Sequence, residues 1–203
     1  MESREQHKRR QVLDGAEAAF LELGFEGSSV DEIARRAGVS KGTLYNHFPD
    51  KRKLFAAVVD RECQRQAEKV FTVSLEDVPA QVALRRIGTQ YLDFLLSPFA
   101  IRLFRVAVAE SARFPELGRT FWESGPDLGT RRLAQFLAAA VARGELQIDD
   151  LDLASHQFIE LCKAKLFYAE VFGVSQGASA ADRERVVDAA VRTFLAAHAP
   201  ARS

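Results

Sequence analysis

A chain of 203 residues, 47% of them hydrophobic, can bury a core, which excludes disorder as its resting state. Its 28 basic and 28 acidic residues cancel, so net charge neither names nor excludes a polyanionic partner; only local arrangement can. No apolar run reaches the ~20 residues of a membrane span, and the longest, Leu133–Ala142, ends at Arg143.

The polar start MESREQHKRR has no secretory core. Cys63 and Cys162 stand far apart inside helical patterns, so reduced thiols and a cytoplasmic location are expected. Val12, Ala16, Ala19, Phe20 and Leu23 recur at helical spacing, and Gly24 is the expected stop. Ser29 followed by Glu32 has the spacing of a capping box. It starts a second helix whose apolar side is Ile33, Ala34 and Ala37 and whose end is Gly38. Ser40 caps a third, very short helix that Pro49 ends from outside. Asp50 caps a fourth, apolar at Leu54, Phe55, Val58 and Val59. Further helices are predicted at about 78–97, 99–113, 115–143, 152–173 and 180–198, with Gly125-Pro126 bending or splitting the third of these. No alternating pattern marks a strand. The class is all-α. A three-helix N-terminal domain, residues 1–50, is joined by a fourth helix to a C-terminal helical bundle, residues 51–203, with about nine helices in all.

Residues 29–48 have the layout of a helix-turn-helix, in which the second helix enters the DNA major groove. Leu44 and Phe48, four apart, are its inward anchor, with Val39 beneath them. Lys41, Gly42, Thr43, Tyr45, Asn46 and His47 are left on or near the outer faces. The stretch SKGTLYNHFPDKRKLF begins two helices with cations, Lys41 in one and Lys51, Arg52 and Lys53 in the other. Cations oppose the partial positive charge of a helix start. A phosphate held jointly by free N–H groups and a lysine would account for them. From Arg35 to Lys53 there are six basic residues and one acidic residue, Asp50, already used as a cap. Lys8, Arg9 and Arg10 form a second basic cluster. Such clusters favour a duplex through counterion release.

The stretch SSVDEIARRAGVSKGTLYNHFPDKRKLF resembles the DNA-binding domain of TetR-family transcriptional regulators. Gly38, Val39, Ser40, Gly42, Leu44, Tyr45, Phe48, Lys51 and Leu54 stand where that family's pattern expects them. The likeness covers about residues 8–56. RLFRVAVAESARFPELGRTFWESGP resembles the C-terminal region of the AefR-like branch. The resemblance implies that Lys41, Thr43, Tyr45 and Asn46 face bases or nearby backbone. It implies that Tyr45, His47 and Lys51 bind phosphates and that Ser29 touches one from the start of the second helix. Competing roles stay open: Tyr45 can pack on the first helix, His47 can cap the third, and Arg35 and Arg36 can be a solvated face.

In such regulators the C-terminal region dimerises and holds an effector. The last helix is apolar over a wide arc, and the helix from about Ala154 to Phe172 is similarly rich. Phe158, Phe172, Val187, Val191 and Phe194 are the expected homodimer surface. Phe104, Val108, Trp122, Phe136, Phe158, Cys162, Lys165 and Tyr168 are candidate effector contacts, each with ordinary core as its rival role. Trp122 and Tyr168 combine apolar area with a polar tip. Lys163 and Lys165, two apart, point to different sides, so at most one faces inward.

Enzymatic chemistry finds no constellation. His7, His47, His156 and His198 lack metal-ligand spacing, and Glu110 and Asp127 are isolated. No phosphate loop or nucleophile elbow is present, and no cofactor or metal is expected. The expected function is a homodimeric repressor, bound to a palindromic double-stranded operator and released by a small apolar or amphipathic ligand. The alternatives are a DNA-binding regulator without such an effector, acting as an activator or under a protein partner, and a helical enzyme.

Overall fold

A computed structural model describes residues 3–71 and 78–200, which form two compact units. Every regular element among the described residues is a helix, and none of these helices is long and apolar enough to cross a membrane.

The first unit holds α1 (Arg4–Gly27), α2 (Val30–Ala37), α3 (Lys41–His47) and the start of α4 (Lys51–Phe71). It also takes residues 102–125, most of α6 (Pro98–Ser111) and all of α7 (Pro115–Ser124). Val12, Ala16, Ala19 and Phe20 are buried as their spacing predicts, whereas Leu23 is exposed. The difference arises at Gly24, whose φ of 74° kinks α1 and turns Phe25 inward instead. A left-handed φ of this kind suits glycine, which carries no Cβ. Phe20, Phe25 and Phe55 then pack ring to ring at 5.2–5.9 Å, closing the core beneath α4. Helix α7 is fastened to α4 at both ends. Arg52 meets Glu116 at 3.3 Å and lies over the Phe114 ring, and Ser124 donates to Asp60 at 3.0 Å.

The second unit holds α5 (Ala80–Leu95), α8 (Pro126–Ala142), α9 (Leu151–Lys163), α10 (Leu166–Phe172) and α11 (Ala180–Ala197). One continuous core joins Leu84, Ile87, Leu133, Leu137, Phe158 and Phe194, the last two edge to face at 5.2 Å. Ser179 and Asp182 close a full capping box at the start of α11.

Two predicted helices are broken. The 115–143 element splits at Gly125-Pro126, where proline lacks the N–H that would continue the ladder. The 152–173 element breaks at Ala164-Lys165, inside a run of strong helix formers with neither glycine nor proline. Lys165 adopts φ 66°, ψ −46°, and the Leu166 N–H donates to the Ala164 carbonyl at 2.8 Å. This is the geometry of a strained γ-turn. It lets Leu166 and Phe167 turn into the core, so tertiary burial overrides local propensity here.

Candidate nucleic-acid interface

Two serines define the motif. The Ser29 hydroxyl accepts from the Glu32 N–H at 3.1 Å, and that of Ser40 accepts from the Thr43 N–H at 3.0 Å. Between them Gly38 turns the chain with φ 63° and closes α2 through its N–H and that of Val39. The Ser29 cap is as predicted, but its reciprocal half is missing. The Glu32 carboxylate turns instead to Arg35 and Arg36.

Helix α3 is held by the two anchors predicted for it. Leu44 is fully buried and Phe48 nearly so. The guanidinium of Arg9 lies 5.2 Å from the Phe48 ring centre, which seats the N-terminal basic cluster beside the end of α3. Lys41, Gly42, Tyr45 and Asn46 face solvent, with Tyr45 46% exposed. Nothing but the Ser40 hydroxyl, at 3.8 Å, comes near a Cβ added at Gly42, so that glycine meets no internal packing demand. Thr43 is half-buried and its hydroxyl bonds that of Ser40 at 2.8 Å, so it serves the cap first. The His47 ring is half-buried beside Phe48.

The basic cluster is mostly paired within the chain. Lys41 Nζ lies 2.7 Å from Asp31, and this bond holds the ammonium above its ordinary pKa. Arg36 bridges Glu32 and Glu22 at 2.6 and 2.7 Å, and Arg35 meets Glu32 at 2.6 Å. The bonds from Arg35 and then Arg36 bring the Glu32 carboxyl down to about 2. Arg36 likewise lowers Glu22. Arg35 and Arg36 are thus parts of an ion-pair network, more than the simple solvated face expected. Lys51, expected to grip a phosphate, is engaged within the chain. Its ammonium donates to the Phe25 carbonyl at 2.7 Å and lies 4.4 Å from the Phe25 ring centre. In the chain alone it thus adds a donor to a carbonyl in the last turn of α1. The paired carboxylates escape a count that starts at Arg35, because Asp31 and Glu32 lie just before it. Asp31 is ten residues from Lys41, beyond any local helix spacing.

The candidate effector residues fall in both units. Phe104, Val108 and Trp122 belong to the first unit, where Phe104 meets Phe121 edge to face and Val108 and Trp122 are exposed. Phe136, Phe158 and Cys162 belong to the second unit's continuous core. Burial pushes the Cys162 thiol up to about 12. Lys165 is exposed in its turn and Tyr168 is exposed against Phe167. The inward lysine is Lys163, only 15% exposed, paired with Glu160 and seated over the Phe167 and Tyr168 rings.

Four residues of the expected dimer surface lie inside the protomer. Phe158, Val187, Val191 and Phe194 are 0%, 1%, 4% and 2% exposed in a single protomer, because the inner stripe of α11 packs on α5 and α9. Residues with no surface present none to a second copy. Phe172, 76% exposed, is the member that remains, with Tyr168 and Val174 exposed nearby.

Known proteins share this architecture. Residues 12–58 match the family of bacterial regulatory proteins called the tetR family, and residues 82–200 match the C-terminal domain of AefR-like transcriptional repressors. The repressor AcnR of Corynebacterium efficiens is 38% identical over 72 residues, which cover 36% of this chain and only 38% of AcnR. The regulator BetI of Cronobacter sakazakii is 30% identical over 159 residues, 76% of this chain and 75% of BetI. A TetR-family regulator from Mesorhizobium loti is 30% identical and superposes with a TM-score of 0.91 over 98% of this chain and 100% of its own. The flavonoid-responsive regulator FrrA is 38% identical with a TM-score of 0.80, over 96% of this chain and 98% of its own. With the helix-turn-helix matched at one end and more than half of the chain matched behind it, the protein belongs to the TetR family of bacterial transcriptional regulators.

Proposed function

We propose that the protein is a homodimeric repressor that reads a palindromic operator through α3 and leaves it when a small molecule binds. The observation that supports DNA reading is the solvent face of α3, where Lys41, Tyr45 and Asn46 project beside an unfilled Gly42. Asn46 has the amide that pairs bidentately with adenine, and Tyr45 and Lys41 suit phosphate or guanine. Ser29 and His47 flank this face as further phosphate contacts. A two-fold dimer places two such helices one turn of duplex apart, about 34 Å, in successive major grooves. Tyr168, Phe172 and Val174 form the exposed apolar stretch that a second copy would cover.

The ligand reading is supported by FrrA, which is named for its response to flavonoids and resembles this chain over nearly its full length. A planar, amphipathic aromatic molecule is therefore the first ligand class to test. It must bind the DNA-free form more tightly, since only differential affinity shifts an equilibrium. A second reading, a regulator without a small-molecule effector, is favoured by the scatter of the candidate effector residues across core and surface.

Selection of bound duplexes from a random pool should yield a two-fold symmetric site. Titrating flavonoids into that complex, with Trp122 fluorescence as a second readout, should release the DNA. Asymmetric selected sites would refute the dimer reading. Affinity unchanged by every flavonoid tested would shift the choice to the effector-free regulator. Replacing Tyr45 and Asn46 with alanine should weaken operator binding, by about 1–3 kcal/mol for a bidentate base contact.

A further inference from the structure

The first turn of α2 carries two carboxylates, Asp31 and Glu32, and they have different roles. Glu32 is half-buried and bound by two arginines, so it belongs to the packing of α2 on α1. Asp31 is 72% exposed and meets Lys41, itself 52% exposed, at 2.7 Å. An exposed pair of this kind adds little to stability. Lys41 is nonetheless the lysine of the helix that faces DNA, and its charge is already matched by a tethered anion.

We infer that Asp31 is an internal competitor of the DNA phosphate for Lys41 and lowers the affinity for DNA of arbitrary sequence. This rests on the reading of α3 as the DNA-facing helix. Binding to arbitrary sequence is driven almost wholly by release of counterions from phosphate when cations approach. A phosphate that takes Lys41 must first displace the Asp31 carboxylate. The carboxylate then stands unmatched near a polyanion. Operator DNA offers base contacts to Tyr45 and Asn46 that do not depend on this exchange, whereas arbitrary DNA has little else to offer. A genome presents arbitrary sites in vast excess, so weakening them leaves more protein free for the operator.

The experiment uses the full chain and a fluorescent 25-base-pair duplex of random sequence, with anisotropy measured over a series of salt concentrations. Asp31→Asn removes the charge and keeps the shape. It should tighten binding about three- to ten-fold and steepen the logarithmic salt dependence by part of the about 0.9 that one phosphate contact contributes. Lys41→Met should weaken binding and flatten the salt dependence by the remainder of that share. In the Lys41→Met background, Asp31→Asn should change affinity less than about two-fold, because the competitor has nothing left to hold. Unchanged affinity and slope in Asp31→Asn, with Lys41→Met still weakened, would overturn the competition and leave the α3 reading standing. An equal gain in both backgrounds would also overturn it, leaving only general repulsion. Binding indifferent to Lys41→Met would overturn the α3 reading itself, and this inference with it.

Discussion

Replacing Gly15 with alanine tests a close helix approach in the first unit. A Cβ built on Gly15 would lie 2.6 Å from the Ala37 nitrogen and 2.7 Å from its Cα and Cβ. Two of these three atoms are backbone of α2, so no side-chain rotation relieves the clash; the helices must separate. Overpacking of this kind costs about 1–3 kcal/mol. The backbone contact puts Gly15 at the upper end, against which helix propensity returns about 1 kcal/mol. The net loss is about 2 kcal/mol, a fall of about 4–8 °C in melting temperature for a chain of this size. Gly129→Ala in α8 is the matched control, because its Cβ would meet only the Tyr91 ring edge at 3.8 Å, an ordinary contact. There the propensity gain stands alone, and stability should rise by up to about 1 kcal/mol. Circular dichroism melts of both variants give the comparison. Hydrogen exchange should place the Gly15→Ala loss in α2 and α3. Equal or higher melting of Gly15→Ala would refute the close packing of α1 on α2.

Lys51→Met removes the cation bonded to the Phe25 carbonyl, so it should lower stability by about 1–2 kcal/mol in denaturant titration; unaltered stability would return Lys51 to the role of a phosphate ligand. Lys165→Gly should raise the melting temperature, since glycine accepts a φ of 66° that costs other residues about 1–3 kcal/mol, and a fall would show that the turn carries no strain. The Glu32 carboxyl is lowered from 4.5 to about 2 in the folded chain. Its stabilisation is therefore complete above pH about 4.5 and lost as the pH falls toward 2. Denaturant titrations over that window should show an acid-dependent loss that Glu32→Gln lacks. Identical slopes against pH would contradict the Arg35 and Arg36 pairing.

The motif was legible because its signals are local. Ser29, Ser40, Asp50 and Ser179 each act on a backbone N–H three residues ahead, and all four do so in the structure. Gly38, Pro126 and the Leu44–Phe48 spacing work within a turn or two of the chain. The Ala164-Lys165 break left no such mark, because ordinary helix formers occupy it and burial of Leu166 and Phe167 outweighs their propensity. Phe158, Val187, Val191 and Phe194 fall inside the protomer for a related reason. An apolar arc shows that a helix face is covered, but not whether the cover comes from its own chain or from another.

By itself, the sequence determined the all-α class, the helix-turn-helix and the outer face of α3. These follow from periodicity and capping, which act over three or four residues. Tertiary structure alone decided where the cations with distant partners go. Lys51 finds a carbonyl 26 residues away, Arg36 finds Glu22 across a helix pair, and Lys41 finds Asp31 across the turn. Long charged side chains choose partners by proximity in space, and proximity exists only once the helices have packed.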